Sequence, residues 1–181
     1  DDTRKNGPNV DSNGDGSIDF KSEYNVGWAV TAAKRDLCDA CDVDHDFTKT
    51  IFDAYLEGRT LITNQADLAD VMVQRDIILN TWEKVVAAVS IHYVNDVADD
   101  IAGLIVAADT SIVPGSEATA NYENHWGEMR GYANGLLYND FKVITDDNLN
   151  RILAVMGTSP VYPSSGNFDD MQAYHTSLVG E

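Results

Sequence analysis

The sequence predicts an all-α fold, a helical bundle of about five to seven helices with a calcium-binding loop at its N-terminal end. Apolar residues keep a helical period through most of 67–108, and no alternating strand pattern persists for more than a few residues. The chain has 181 residues, of which 44% are hydrophobic, enough for one sizeable core. We expect an acidic N-terminal arm over 1–23 and a helical bundle domain over 24–181.

Apolar and aromatic residues spaced three or four apart predict the helices in order. The first is predicted over 22–37 and the second from about residue 48. The apolar stretch 67–108 is long for one globular helix, so two helices that break near 90–95 are expected. Later helices are predicted over 116–138, from Thr145 to Val155, and over 168–178. Thr145 precedes two aspartates and is a suitable N-cap, because acidic side chains favour the positive end of the helix dipole.

The chain is strongly acidic, with 30 Asp and Glu residues against 12 Lys and Arg and a formal net charge of −18. Such a charge repels nucleic acids and anionic membranes and favours multivalent cations as partners. No apolar run is long enough for a transmembrane segment. The first nine residues do not resemble a signal peptide. The chain is then either cytosolic or a mature form whose leader has been removed, and we expect the second, an extracellular or cell-surface protein.

The only two cysteines, Cys38 and Cys41, are three positions apart. A short local disulfide is the favoured interpretation, while free thiols, a redox pair and a zinc site are the alternatives. A zinc site would need two further ligands, and no second cysteine pair is present. No βαβ pattern surrounds the pair, as a thioredoxin-like enzyme would require.

The N-terminal arm contains the ligand pattern of a calcium loop. With Asp11 as position one, oxygen-bearing side chains recur at positions one, three, five and nine, with Gly16 at the sharp turn of position six. This is the order of an EF-hand loop, whose oxygen atoms satisfy the six to eight ligand positions of Ca²⁺. The predicted calcium ligands are Asp11, Asn13, Asp15, Ser17 (through its backbone carbonyl), Asp19 and Glu23.

This loop departs from an EF-hand at position twelve, where a bidentate Glu is usual. Ser22 occupies that position and Glu23 follows it. No helix is predicted before Asp11, so the loop is more similar to extracellular repeats of the dockerin and thrombospondin kind. The alternative is an Asx-rich turn that starts a helix without a metal.

A second series of aspartates has similar spacing, with Thr50 at its ninth position. Its candidate ligands are Asp42, Asp44, Asp46 and Asp53. Phe47 stands where a glycine is needed, and carboxylates before a helix also stabilise its N-terminus. Capping is therefore favoured over metal binding at this segment.

The segment 124–136 combines a glycine stripe with a His–Glu pair. Gly127, Gly131 and Gly135 recur every four residues on one helix face, although each costs helix stability of about 1 kcal/mol relative to Ala. A bare stripe predicts close packing inside the bundle or at a subunit contact. His125 and Glu128 are three apart on one face and are candidate metal ligands. A structural hydrogen bond between the two is the favoured alternative.

The run His-Trp-Gly-Glu-Met-Arg-Gly-Tyr-Ala-x-Gly-Leu over 125–136 resembles the signature of an uncharacterised helical domain. That domain occurs in surface lipoproteins and secreted proteins of Bacteroidota and marine bacteria, and weaker similarity extends over 48–158. The run is also similar to the His-x-x-Glu motif of imelysin-like proteins, which are helical, extracytoplasmic and linked to iron handling. The imelysin glycine two residues before the histidine is Glu123 here. The resemblance implies a helical surface protein and offers only His125 and Glu128 as candidate ligands.

The favoured function is an extracellular calcium-binding structural or assembly protein, such as a subunit of a cell-surface filament or layer. Self-association is expected through the N-terminal arm or the glycine-striped helix. The alternative is an imelysin-like surface module that binds a metal or another ligand. An enzyme is not expected, because the chain has no Gly-x-Ser-x-Gly elbow and no phosphate-binding loop.

Overall fold

The structure, a computed structural model, describes residues 9–11, 14–16, 24–25, 27–36 and 45–180. This part of the chain contains six α-helices and one pair of two-residue strands, which confirms the predicted all-α class. The elements are β1 (Asn9–Val10), β2 (Tyr24–Asn25), α1 (Gly27–Ala33), α2 (Phe47–Thr63), α3 (Leu68–Ala107), α4 (Ala120–Gly135), α5 (Asp146–Met156) and α6 (Asp169–Val179). Short 3-10 turns at Glu117–Thr119 and Leu136–Tyr138 precede and follow α4.

The chain divides into two compact units, residues 1–85 and 86–181, and the boundary falls within α3. In the first unit α1 packs against α2. There Trp28 of α1 also meets Trp82 of α3 edge to face, with ring centroids 6.4 Å apart. The arm predicted over 1–23 as a separate part stays a prediction, since most of it lies outside the described residues.

The helix α3 is continuous over 40 residues. The predicted break near 90–95 is therefore wrong. No proline lies in this stretch, and its only glycine is Gly103 near the C-terminal end, so nothing in the backbone stops the helix. Its length is about 60 Å at the usual rise per residue. No helix in the described part of the chain is both long enough and apolar enough to cross a membrane.

The first predicted helix is shorter than expected and its start is wrong. Tyr24 and Asn25 were expected in a helix over 22–37, but they pair as β2 with β1 in antiparallel register. In the strand pair the backbone groups of Tyr24 and Asn25 face partners on β1. In the first turn of a helix their N–H groups would have no intrahelical partner. The helix itself begins at Gly27 and ends at Ala33.

The second unit has a core formed by α4, α5, α6 and the C-terminal part of α3. Five large side chains there are almost completely buried, namely Ile101, Tyr122, Met129, Leu149 and Met171. The predicted bounds of α5 and α6 are confirmed to within about a residue. Thr145 is the N-cap of α5, and its hydroxyl oxygen accepts the backbone N–H of Asn148 at 3.3 Å.

Candidate functional sites

The strand pair closes the base of the predicted calcium loop. β1 ends at Val10, directly before Asp11, and β2 begins at Tyr24, directly after Glu23. Val10 and Tyr24 are Cα partners, and such partners in antiparallel strands lie about 4.5–5.5 Å apart. The first and last predicted ligands are therefore each one residue from the paired positions. Strands of two residues have no detectable periodicity, so sequence analysis missed this pair.

The carboxylate of Asp11 accepts three backbone N–H groups. Its Oδ1 accepts from Gly14 at 2.6 Å and from Asp15 at 3.2 Å, and its Oδ2 accepts from Gly16 at 2.8 Å. Gly14 and Gly16 have φ of +77° and +86°, a left-handed conformation in which side chains are disfavoured. The sharp turn expected at Gly16 is present, and the backbone from 14 to 16 curls around the first carboxylate.

The other predicted calcium ligands are only partly described. Asp15 is exposed beside this turn. Asn13, Ser17, Asp19 and Glu23 lie outside the described residues. Within the described part of the chain no three His, Cys, Asp or Glu side chains are grouped so that they could hold a metal ion. The calcium site therefore stays a prediction.

The described members of the second aspartate series stabilise the first turns of α2. Asp46 is the N-cap, and its carboxylate accepts the backbone N–H of Lys49 at 2.8 Å. Asp53 forms an ion pair with the Lys49 side chain one turn earlier. The capping interpretation is thus confirmed for Asp46, while Asp42 and Asp44 lie outside the described residues. Cys38 and Cys41 lie outside them too.

The glycine stripe of α4 is exposed. A Cβ built on Gly127, Gly131 or Gly135 meets nothing within 4 Å. Close packing inside the bundle is therefore wrong for all three glycines, because no described element approaches them. A subunit contact, the other alternative, stays a prediction.

The exposed residues of α4 and of the 3-10 turn that follows it are uncharged, whereas the turn that precedes it carries the exposed Glu117. Every exposed residue from 118 to 138 is Ala, Asn, Gly, Leu or Tyr, and we call this surface the neutral face of α4. Its members are Ala118, Ala120, Asn121, Asn124, Gly127, Gly131, Gly135, Leu137 and Tyr138. Tyr138, at its C-terminal end, is 87% exposed. Charged residues make up 23% of the chain, so a face whose exposed residues are all uncharged is unusual for this protein. The half-buried Glu128 lies at the same position around the helix as this face.

His125 bonds to a carboxylate that sequence analysis missed. Its Nδ1 lies 2.7 Å from Oδ2 of Asp100 on α3, so the predicted structural hydrogen bond to Glu128 is replaced by one to Asp100. The ring of Tyr93 lies beside His125 and stacks on Tyr132, with centroids 5.9 Å apart in both contacts. Asp100 is 25 positions away in sequence, so only helix packing brings the two together. The bond to Asp100 fixes the orientation of the imidazole ring and leaves its Nε2 as the nitrogen that could bind another group.

Two other residues of the same motif close the C-terminal end of α5. The Trp126 Nε1 donates to the carbonyl of Met156 at 3.3 Å and to the Tyr174 hydroxyl at 2.9 Å. The Arg130 guanidinium donates to the carbonyl of Leu153. The last turn of α5 has no basic residue of its own, so Arg130 supplies the cation that favours the negative end of the helix dipole. Both side chains therefore have a structural role.

Phenol and carboxylate groups fasten the loops around the start of α4. The Glu123 carboxylate accepts from Gly115 N at 2.7 Å and from the hydroxyls of Thr119 and Tyr162 at 2.8 Å each. These donors hold the pKa of Glu123 below its usual value. Burial, and then the bond to Glu123, raise the pKa of Tyr162 to about 12. The stabilisation from Glu123 is therefore present above the ordinary carboxyl pKa and is lost as the pH falls through the lowered value.

Comparison of the chain with family models, curated proteins and solved structures finds no match. The resemblance carried by the run at 125–136 therefore stays a prediction.

Proposed function

We propose that this chain is an extracellular structural protein that binds calcium in its N-terminal loop and self-associates when calcium is bound. The observation that carries the proposal is the strand pair of Val10 and Tyr24 at the base of the loop. It holds together the two ends of a segment whose oxygen ligands follow the order that Ca²⁺ requires.

The hydrogen bonds of Asp11 leave room for a cation. An ionised carboxylate has about four lone-pair sites. Among the described residues, two N–H groups bond to Oδ1 and one to Oδ2, so these bonds leave one site on Oδ2 to a metal. The same N–H groups orient the carboxylate before an ion arrives. Asp11 is therefore suited to act as a monodentate first ligand.

Calcium and the neutral face of α4 together address the main obstacle to assembly. A net charge of −18 makes two copies repel each other. Bound Ca²⁺ reduces that charge at the arm, and the neutral face offers a contact whose exposed residues are uncharged. Its three glycines leave the backbone bare, which permits a second helix to approach closely. We infer that copies of this chain meet through the neutral face.

The test of calcium dependence is light scattering after size exclusion, with electron microscopy of the same sample, in millimolar calcium and then in chelator. The parent is expected to form large assemblies in calcium only. Asp11→Asn is expected to weaken calcium binding at least tenfold in calorimetry and to stay monomeric. Asp99→Asn is the matched control, because Asp99 is exposed on α3 and its loss removes the same charge away from the loop. If the parent binds calcium yet stays monomeric at high concentration, the proposed assembly is contradicted. If it binds no calcium, the proposed calcium site is contradicted.

The same assay separates the neutral face from the arm. Gly131 is exposed and a Cβ added there meets nothing within 4 Å, and Gly131→Leu raises helix propensity, so we expect the protomer to stay folded while close approach is blocked. We expect it to bind calcium normally and to remain monomeric. Gly103→Leu on α3 is the control, since Gly103 is also exposed and a Cβ added there also meets nothing within 4 Å. If Gly131→Leu assembles as the parent does, the contact lies elsewhere and the neutral face is excluded.

A second candidate function, a surface metal-binding module, is favoured by the contact between His125 and Asp100. A carboxylate on one ring nitrogen is the usual support for a metal-ligating histidine, since it orients the other nitrogen. Under this hypothesis the parent binds a transition metal such as zinc, copper or iron, and His125→Ala with Glu128→Ala reduces its affinity at least tenfold in calorimetry. His175→Ala, on α6, is the control. Equal affinity of parent and double variant for all three metals contradicts the hypothesis.

A further inference from the structure

A cavity of about 510 Å³ opens into the second unit between α3, α4, α5 and α6. Its volume is within the range of pockets that hold small ligands, about 300–1,000 Å³. The inner end is formed by fully buried side chains, among them Ala133, Leu149 and Met156. The mouth is formed by exposed ones, with Ile91 at 61% and Val179 at 58% exposure. The cavity therefore runs from solvent to the core of one unit.

The lining is apolar apart from two side chains on α3. None of the described residues that line the cavity is charged, and the polar ones among them are Ser90 and Asn95. The hydroxyl of Ser90 donates to the carbonyl of Met129 at 3.3 Å, so its oxygen retains lone pairs that accept from a ligand. Asn95 is exposed at the mouth, and its amide can both donate and accept. The polar positions thus suit one hydroxyl group at the end of an apolar body.

We propose that this cavity binds an uncharged aliphatic alcohol, with the chain toward Leu149 and the hydroxyl between Ser90 and Asn95. Filling an apolar cavity restores dispersion contacts that its empty state lacks. A fatty carboxylate is disfavoured because the described lining residues include no cation to pair with it and the chain carries a net charge of −18. An alkyl ammonium would leave an unpaired charge against the same apolar walls. This proposal is independent of calcium and of assembly.

The test is displacement of the neutral fluorophore N-phenylnaphthylamine, followed by calorimetry, on the full chain in chelator. Decanol is expected to displace the fluorophore, and decanoate and decylammonium to bind at least tenfold more weakly. Ile91→Trp narrows the mouth at an exposed position, so it is expected to weaken decanol binding at least tenfold while the far-UV circular dichroism stays unchanged. Val113→Trp is the control, because Val113 is similarly exposed at 57% and does not line the cavity.

A second variant keeps the proposal testable even if Ile91→Trp fails to fold. Ser90→Ala removes the acceptor without adding volume, so it is expected to weaken decanol several-fold and to leave N-phenylnaphthylamine unchanged. The proposal is overturned if decanol does not displace the fluorophore, or if decanoate or decylammonium binds as tightly as decanol. Decanol binding that is equal in the parent and in both variants also overturns it, because the ligand then lies elsewhere.

Discussion

Replacement of Met129 by alanine is expected to lower the free energy of unfolding of the second unit by about 2–5 kcal/mol. Met129 is fully buried on α4 and belongs to the core formed with α3, α5 and α6. Its removal leaves a void that the surrounding helices fill only in part, since Trp126 and Arg130 of α4 also fix the position of α5 by hydrogen bonds. Urea unfolding in chelator measures the change, followed by tryptophan fluorescence and circular dichroism together. Coincidence of the two signals tests whether the transition is two-state.

Two controls separate a core effect from a general one. Met129→Leu nearly conserves volume and is expected to cost less than about 1.5 kcal/mol. Val106→Ala, at a side chain that is 84% exposed on α3, is expected to change stability by no more than about 0.5 kcal/mol. If the Met129→Ala variant is as stable as the Val106→Ala variant, then Met129 of α4 does not stabilise this core.

Replacement of Tyr122 by alanine is the second large effect, expected at about 3–5 kcal/mol by analogy with other buried aromatic residues. The ring is 1% exposed, and the hydroxyl has two partners on one residue. It donates to the carbonyl of Val161 at 3.0 Å and accepts from its N–H at 2.8 Å. Burial raises the pKa of Tyr122 well above its ordinary value, so the hydroxyl stays protonated and can donate throughout the physiological range.

The variant Tyr122→Phe divides this effect between ring and hydroxyl. It keeps the ring but leaves both backbone groups of Val161 without their partner, at an expected cost of about 1–3 kcal/mol. Amide hydrogen exchange should show faster exchange at Val161, and urea unfolding gives the total. Tyr138→Phe removes a hydroxyl from an 87% exposed ring and is the control. Unchanged exchange at Val161 in Tyr122→Phe would contradict the assigned bonds.

The features predicted well from sequence are those with local causes. Thr145 and the two acidic residues after it start α5 through hydrogen bonds and the helix dipole, both of which act within one turn. The break in α3 was predicted wrongly because it was inferred from the usual length of a globular helix and not from a helix-breaking residue. Between Leu68 and Gly103 the chain has no residue that ends a helix, so continuity was the better expectation.

The candidate sites were harder to predict because their partners come from distant parts of the chain. His125 was paired with Glu128 on its own helix, whereas packing places Asp100 of α3 at its Nδ1. The role of Arg130 was missed although a signal existed, since α5 has no basic residue in its last turn and needs donors from elsewhere. The exposure of the three glycines depends on which side of α4 the other helices pack. The residue pattern of α4 alone does not indicate that side.

The pairing of Val10 with Tyr24 has a consequence for the thermodynamics of ion capture. The chain from Asp11 to Glu23 is a loop of thirteen residues, and bringing the ends of such a loop together costs on the order of 2 kcal/mol in chain entropy. Because the strands pair during folding, the entropy of closing the loop is lost at that step. The binding of an ion then does not include this unfavourable term. Its dissociation constant is then lower by roughly thirtyfold than for the same ligands on an open chain. Substitutions that prevent the pairing should therefore weaken binding without altering any ligand.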